Sequence, residues 1–157
     1  MLVKPKKVKR GELKCGDIFS FAINAELYGY GVIVSRINEG HVAEIFNYFS
    51  GNPEPEIEFL VETIYPPVIL DTLSLLEKKT EGEWQLIGHK EGYSPSERVR
   101  NIKFVWGIFG KRSTTDIYNN HEKISDDDAS KWPVASPHGD WDVKDYLRKH
   151  GVLRGVE

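Results

Sequence analysis

Residues 14–35 read KCGDIFSFAINAELYGYGVIVS, and a third apolar run, HVAEIFNYF over 41–49, follows closely. Gly16 and Asp17 supply a turn, Ile18, Phe19, Phe21 and Ile23 form a β-rich run, and residues 24–27 interrupt the pattern before 28–34 resume it. This is the pattern of a hairpin. In the returning strand Tyr28, Tyr30, Val32 and Val34 share one parity and Gly29, Gly31, Ile33 and Ser35 the other, so one face is bulky and the other bare. Glycines inside a strand mark a bulge, a bend or a close approach of another group, which suits a strongly curled sheet or a small barrel. Their role is read as architectural.

Working outward, Asn38, Glu39 and Gly40 form the turn into the third strand, and the three strands make a meander. Residues 50–53, SGNP, end it. The next stretch, PEPEIEFLVETIY, fits two templates. As a helix it places Ile57, Leu60, Val61 and Ile64 on one stripe, with Asn52 as cap and Pro53 in the first position. As a strand it sets Ile57, Phe59 and Val61 opposite Glu56, Glu58 and Glu62. The start signals favour a short helix over 54–64. In either form Glu54, Glu56, Glu58 and Glu62 crowd one acidic surface, a solvated face or a docking face for a basic protein.

Pro66 and Pro67 close that element, and strands are expected over 68–76, 84–89 and 103–109, with a last short one at 116–118. The stretches EKKTEGE, KEGYSPSERVRN and GKRSTT read as turns or loops between them. From Ser125 the character becomes helical. Ser125 and Asp128 have capping-box spacing, Asp126, Asp127 and Asp128 suit a helix amino terminus, and Pro133 stops the turn. A second helix is expected from about 140 to 150, with Val143, Tyr146, Leu147 and His150 at helical spacing and Gly151 behind it. The fold class expected is α+β: a mostly antiparallel, strongly curled sheet or small barrel carried by residues 17–109, with carboxyl-terminal helices beside it.

At 157 residues one domain with a real core is expected. An apolar content of 39% with 11% aromatic residues is too rich for a disordered chain, and a net charge of -3 implies no polyanionic partner for the chain as a whole. Residues 1–12 carry Lys4, Lys6, Lys7, Lys9 and Arg10 and read as a solvated basic arm. No apolar segment follows that arm, and no apolar run is long enough to span a bilayer, so a cytoplasmic protein is expected.

Cys15 is the single cysteine, so neither an intramolecular disulfide nor a cysteine-built zinc site can form. A lone cysteine near a strand start is a weak nucleophile candidate. The five histidines, His41, His89, His121, His138 and His150, have no HxH or HExxH spacing, and Asp126 to Asp128 lack the alternating ligands of a calcium loop. The glycines of YGYGVIV lie within a strand rather than between a strand and a helix, which rules out a phosphate-cradling loop. No catalytic centre, metal or cofactor is expected. A rival reading is a small nucleic-acid-binding barrel, with Lys103, Lys111 and Arg112 on phosphates and Tyr28, Tyr30 or Trp106 stacking on bases.

The combination of GDIFSFAINAELYGYGVIV, then PPVILDTLSLL followed by EWQLIGH, and a helical end resembles the immunity protein 26 family of bacterial polymorphic toxin systems, from about Gly11 onward. The resemblance implies a small β-rich cytosolic protein, not an enzyme, that binds one cognate toxin and protects the producing cell. Starting from that implication, Glu54, Glu56, Glu58 and Glu62 are expected to steer a basic toxin, and Tyr48 and Tyr93 to supply buried anchoring area.

Overall fold

A computed structural model describes residues 12–79 and 81–152. The arm read over residues 1–12 lies outside the described residues, apart from Glu12. The opening stretch forms β1 (Asp17–Ala22), β2 (Tyr28–Ile37) and β3 (Gly40–Phe46), an antiparallel meander as expected. β4 (Thr63–Leu70) pairs with β3, and β5 (Gln85–His89) returns to the free side of β1. A two-residue strand, β9 (Pro137–His138), adds to β4 in parallel, giving a curled six-stranded sheet in the order β5-β1-β2-β3-β4-β9. The fold is α+β.

The curl has local causes. Register shifts leave Ile87 of β5 extra opposite Ile18/Phe19, Val34 of β2 extra opposite Ala43/Val42, and residues 65–67 of β4 facing the single Glu44 of β3, and each bulge adds twist to its strand. The bare parity of β2 is a socket rather than a bulge. Phe19 and Phe21 of β1 stand opposite Gly31 and Gly29, and their rings lie where glycine leaves room. The fully buried Trp84 stacks on both, 4.4 Å from Phe21 and 5.4 Å from Phe19 between ring centroids.

Both faces of the sheet are buried. One carries Phe19, Phe21, Ile33, Ala43 and Ile45 against Leu75, Leu76, Trp84 and the helix α3 (Asp140–Lys149), which contributes Val143, Tyr146 and Leu147. This is the expected second helix, and Gly151 takes a positive φ of 71° just beyond it. The other face carries Ile18, Tyr30, Val32 and Phe46 under Leu60, and Val34, Ile37, Val42 and Ile69 under Val99, Ile102, Phe104 and Ile117. Val99 belongs to α1 (Glu97–Arg100), one turn capped by Ser96.

Five expectations are corrected. The helix over 54–64 is a single 3-10 turn at Ile57–Phe59, and the chain is already a strand at Thr63, because Thr63 and Ile64 pair with Phe46 and Ile45. Pro66 and Pro67 do not end that element. They sit inside β4 in the register shift opposite Glu44, where the ladder requires no N–H. The strand expected over 68–76 stops at Leu70, and Leu73–Glu77 forms a π-helical turn that drives Leu75 and Leu76 into the core. Finally, β6 (Phe104–Ile108) does not extend the main sheet. It pairs with β7 (Lys111–Thr115), the stretch read as a turn, and β7 pairs with β8 (His121–Ile124), forming a separate three-stranded sheet. Residues 116–118 are the turn between β7 and β8, because Asp116 Oδ1 accepts from the backbone N–H of Tyr118 and Asn120, both at 2.9 Å. α2 (Asp126–Ala129) begins as read, with Ser125 Oγ accepting from Asp128 N at 3.1 Å.

Candidate partner-binding surface

The turn joining β3 to β4 carries all four glutamates singled out in the sequence, and it is fixed from beneath. Tyr28 N donates to Ser50 O at 2.7 Å, and Asn47 N donates to Glu62 O at 2.7 Å, closing the two ends of the loop. The buried Tyr30 sends its hydroxyl to the Asn52 carbonyl and shares a 2.6 Å hydrogen bond with Ser50 Oγ. Asn52 Oδ1 accepts from Glu54 N at 2.9 Å, an Asx turn that starts the acidic run. Pro55 and Leu60 are buried, and Lys90 Nζ donates to the Leu60 carbonyl.

With Pro55 and Leu60 turned inward, Glu54, Glu56, Glu58 and Glu62 are exposed. So are two apolar side chains: Phe59, 57% accessible, which only the strand template turned inward, and Val61, 68% accessible, which both templates turned inward. Only Leu60 is fully inward, because the 3-10 turn advances the chain by three residues and then releases it extended. Tyr48 is half-buried, its ring 6.0 Å from that of Phe59 and 5.8 Å from that of Tyr30. No lysine or arginine occurs between Pro53 and Ile64.

Tyr93, expected as the second anchoring tyrosine, is tied to the sheet. It is half-buried, and its hydroxyl donates to Glu44 Oε2 while Thr63 Oγ1 donates to Glu44 Oε1 at 2.9 Å. Glu44 is only 5% accessible, so these two donors satisfy a carboxylate in the middle of the sheet. Burial, together with the hydrogen bond to Glu44, pushes the Tyr93 phenol far above its ordinary range. Tyr93 therefore fastens the loop after β5 to the sheet, beside the same cluster that Tyr48 and Ile57 pack against.

The groups proposed for nucleic acid are engaged elsewhere. Lys103 Nζ lies 3.1 Å from Glu122, and Arg112 Nε donates to Asp126 Oδ1 at 2.9 Å. Trp106 donates its indole N–H to Thr115 Oγ1 at 3.0 Å and meets His121 edge-on, and Tyr30 is fully buried. Lys111 is exposed, and Tyr28 directs its hydroxyl at Glu83 Oε2, 3.4 Å away.

Cys15 is exposed, and desolvation together with the negative charge of Asp17 pushes its thiol up, the opposite of what a thiolate nucleophile requires. The nearby His89 directs Nδ1 at Asp17 Oδ1, 2.9 Å away. His41 is buried with Nδ1 2.7 Å from Thr72 Oγ1, and His138 Nδ1–H donates to the carbonyls of Ser136 and Ile69 at 2.9 and 3.2 Å. Among the described residues no three His, Cys, Asp or Glu side chains are grouped to hold a metal, and no helix is long and apolar enough to cross a membrane.

What reaches the surface here is a clamped turn bearing carboxylates and apolar side chains. The chain belongs to the immunity protein 26 family, whose sequence profile matches residues 14–115. No curated protein and no solved structure matches it. The matched span runs through β7 and contains the acidic turn, whereas β8, α2, β9 and α3 lie beyond it.

Proposed function

We propose that this immunity protein acts in the cytoplasm by binding one cognate toxin of a bacterial polymorphic toxin system, one to one, and that it neutralises the toxin by contact rather than by catalysis. The observation that carries this reading is that the family span, residues 14–115, contains a rigid turn on which Glu54, Glu56, Glu58 and Glu62 are all exposed. Carboxylates of one sign steer association with a basic partner, and Tyr48 adds contact area beside them. Tyr93 supports this surface from below through Glu44.

The test is co-expression with the toxin domain encoded beside the gene. Replacing Glu54, Glu56 and Glu58 by lysine is expected to slow association at least tenfold at low salt and to weaken protection. The melting temperature should change little, because exposed substitutions cost within about 0.5 kcal/mol each. Undiminished protection at both low and moderate salt would remove the acidic turn from the interface. Failure of the parent protein to bind or protect would remove the toxin reading itself.

A further inference from the structure

Large apolar side chains are exposed at two places besides isolated positions. One is the β6–β7 turn, where Ile108 and Phe109 are 71% and 79% accessible. The mixed pair Arg112 and Asp126 lies beside it, and no charge of a single sign indicates what would cover it. The other is the β3–β4 turn, where Phe59 and Val61 project on either side of the buried Leu60. Here the surrounding charge is uniform, four carboxylates with no cation between Pro53 and Ile64.

We propose that Phe59 and Val61 are the anchoring residues of the interface, and that they insert into an apolar socket on the toxin whose rim is formed by lysine and arginine side chains. This rests on the toxin-binding reading and names the chemistry of its partner. The argument is one of complementarity. Aromatic and aliphatic anchors contribute most when they enter a desolvated pocket, and a ring of carboxylates around them is tolerated there only if the opposing rim is cationic. A neutral or acidic rim would leave buried, unpaired carboxylates. The turn is also prepared for insertion: its ends are closed by Tyr28–Ser50 and Asn47–Glu62 backbone hydrogen bonds, Lys90 holds the Leu60 carbonyl, and the Phe59 ring already rests on Tyr48. Little ordering is therefore left to be done on binding.

Charge and apolar contact act on different rate constants, so the assignment is separable from the general reading. With the neighbouring-gene toxin domain as the probe in a surface-binding assay, Phe59→Ser and Val61→Ser are expected to raise the dissociation rate about 30-fold or more for Phe59 and several-fold for Val61. The association rate should stay within about threefold of the parent. Phe59→Leu, which keeps an apolar knob, should recover most of the affinity. Val61→Ser touches no aromatic neighbour among the described contacts and keeps the test independent of any loosening of Tyr48. Heparin, a generic polyanion, should compete with the parent protein for the toxin, because it occupies the same cationic rim. An unchanged dissociation rate in both serine variants would overturn the anchor assignment while leaving toxin binding intact. Absence of heparin competition would overturn the cationic rim. If the parent protein does not bind the toxin domain, the toxin reading and this inference fall together.

Discussion

Replacing Gly31 by alanine sets backbone propensity against packing. In a strand interior glycine is less favourable than alanine by roughly 0.5–1 kcal/mol, so propensity alone predicts a more stable protein. The structure predicts the reverse. A Cβ at position 31 would stand 2.8 Å from the Glu44 carbonyl oxygen and collide with the Phe19 ring, whose Cε2 also lies at 2.8 Å. Neither obstacle yields cheaply: the carbonyl belongs to β3, a central strand, and Phe19 is fully buried with Trp84 stacked behind it. Overpacking of this kind costs about 1–3 kcal/mol, and a clash with both ring and backbone belongs at the upper end. After the propensity gain, a net loss of about 2 kcal/mol remains, which for a chain of this size lowers the melting temperature by about 4–8 °C. Gly29→Ala meets only the Phe21 ring, at 2.6 Å and beyond, so about 1 kcal/mol is expected there. Urea unfolding measures both. Adding Phe19→Leu should shrink the cost of Gly31→Ala by 0.5 kcal/mol or more in a double-mutant cycle, since the shorter side chain vacates the socket. A neutral or stabilising Gly31→Ala would refute the claim that ring insertion, rather than strand curvature, fixes these two glycines.

Two further outcomes are expected. Tyr93 keeps its proton in the folded protein well above the ordinary tyrosine value of about 10, while the unfolded chain releases it near that value. Above about pH 10 the folded state therefore binds more protons than the unfolded one, and stability falls as pH rises. Tyr93→Phe should make that alkaline decline shallower; an identical slope in parent and variant, measured by urea unfolding between pH 8 and about 11, would contradict the assignment. Asp140→Ala should cost about 1–3 kcal/mol, because the buried Trp84 indole N–H donates to Asp140 Oδ1 at 2.9 Å and would lose its acceptor, while Lys144 loses a partner at 2.8 Å. A change below about 0.5 kcal/mol in fluorescence-monitored unfolding would rule that role out.

The meander and α3 were legible because their signals are local: period-two apolar runs broken by Asn38 to Gly40, and helical spacing of Val143, Tyr146 and Leu147 ahead of Gly151. The acidic surface was legible too, since either template for 54–64 exposes the glutamates. Which neighbours of those glutamates are exposed was not legible. Phe59 and Val61 face outward because β3 claims Thr63 and Ile64 and leaves too few residues for a helix, a competition between segments that no window of sequence contains. The tie that holds Tyr93 was hidden for a related reason. A tyrosine in a Gly, Pro and Ser-rich loop carries no sign that a buried glutamate 49 residues earlier in the chain will hold its hydroxyl. β7 was hidden because KRSTT has no apolar alternation, and its Thr114 and Thr115 are buried only once β6 and β8 flank them.

The strand that completes the main sheet has a consequence in time. β9 seals β4 through residues that arrive late: His138 bonds the carbonyl of Ile69, 69 residues before it, and Asp71 N donates back to the His138 carbonyl at 2.9 Å. At about 5–20 residues per second, roughly 3–14 s of synthesis separate the two. Throughout that interval Val68, Ile69 and Leu70 border an edge whose covering segment has not yet been made. A ribosome that stalls inside this window releases a chain whose meander can form with one flank unsealed, ready to pair with the nearest strand of another molecule.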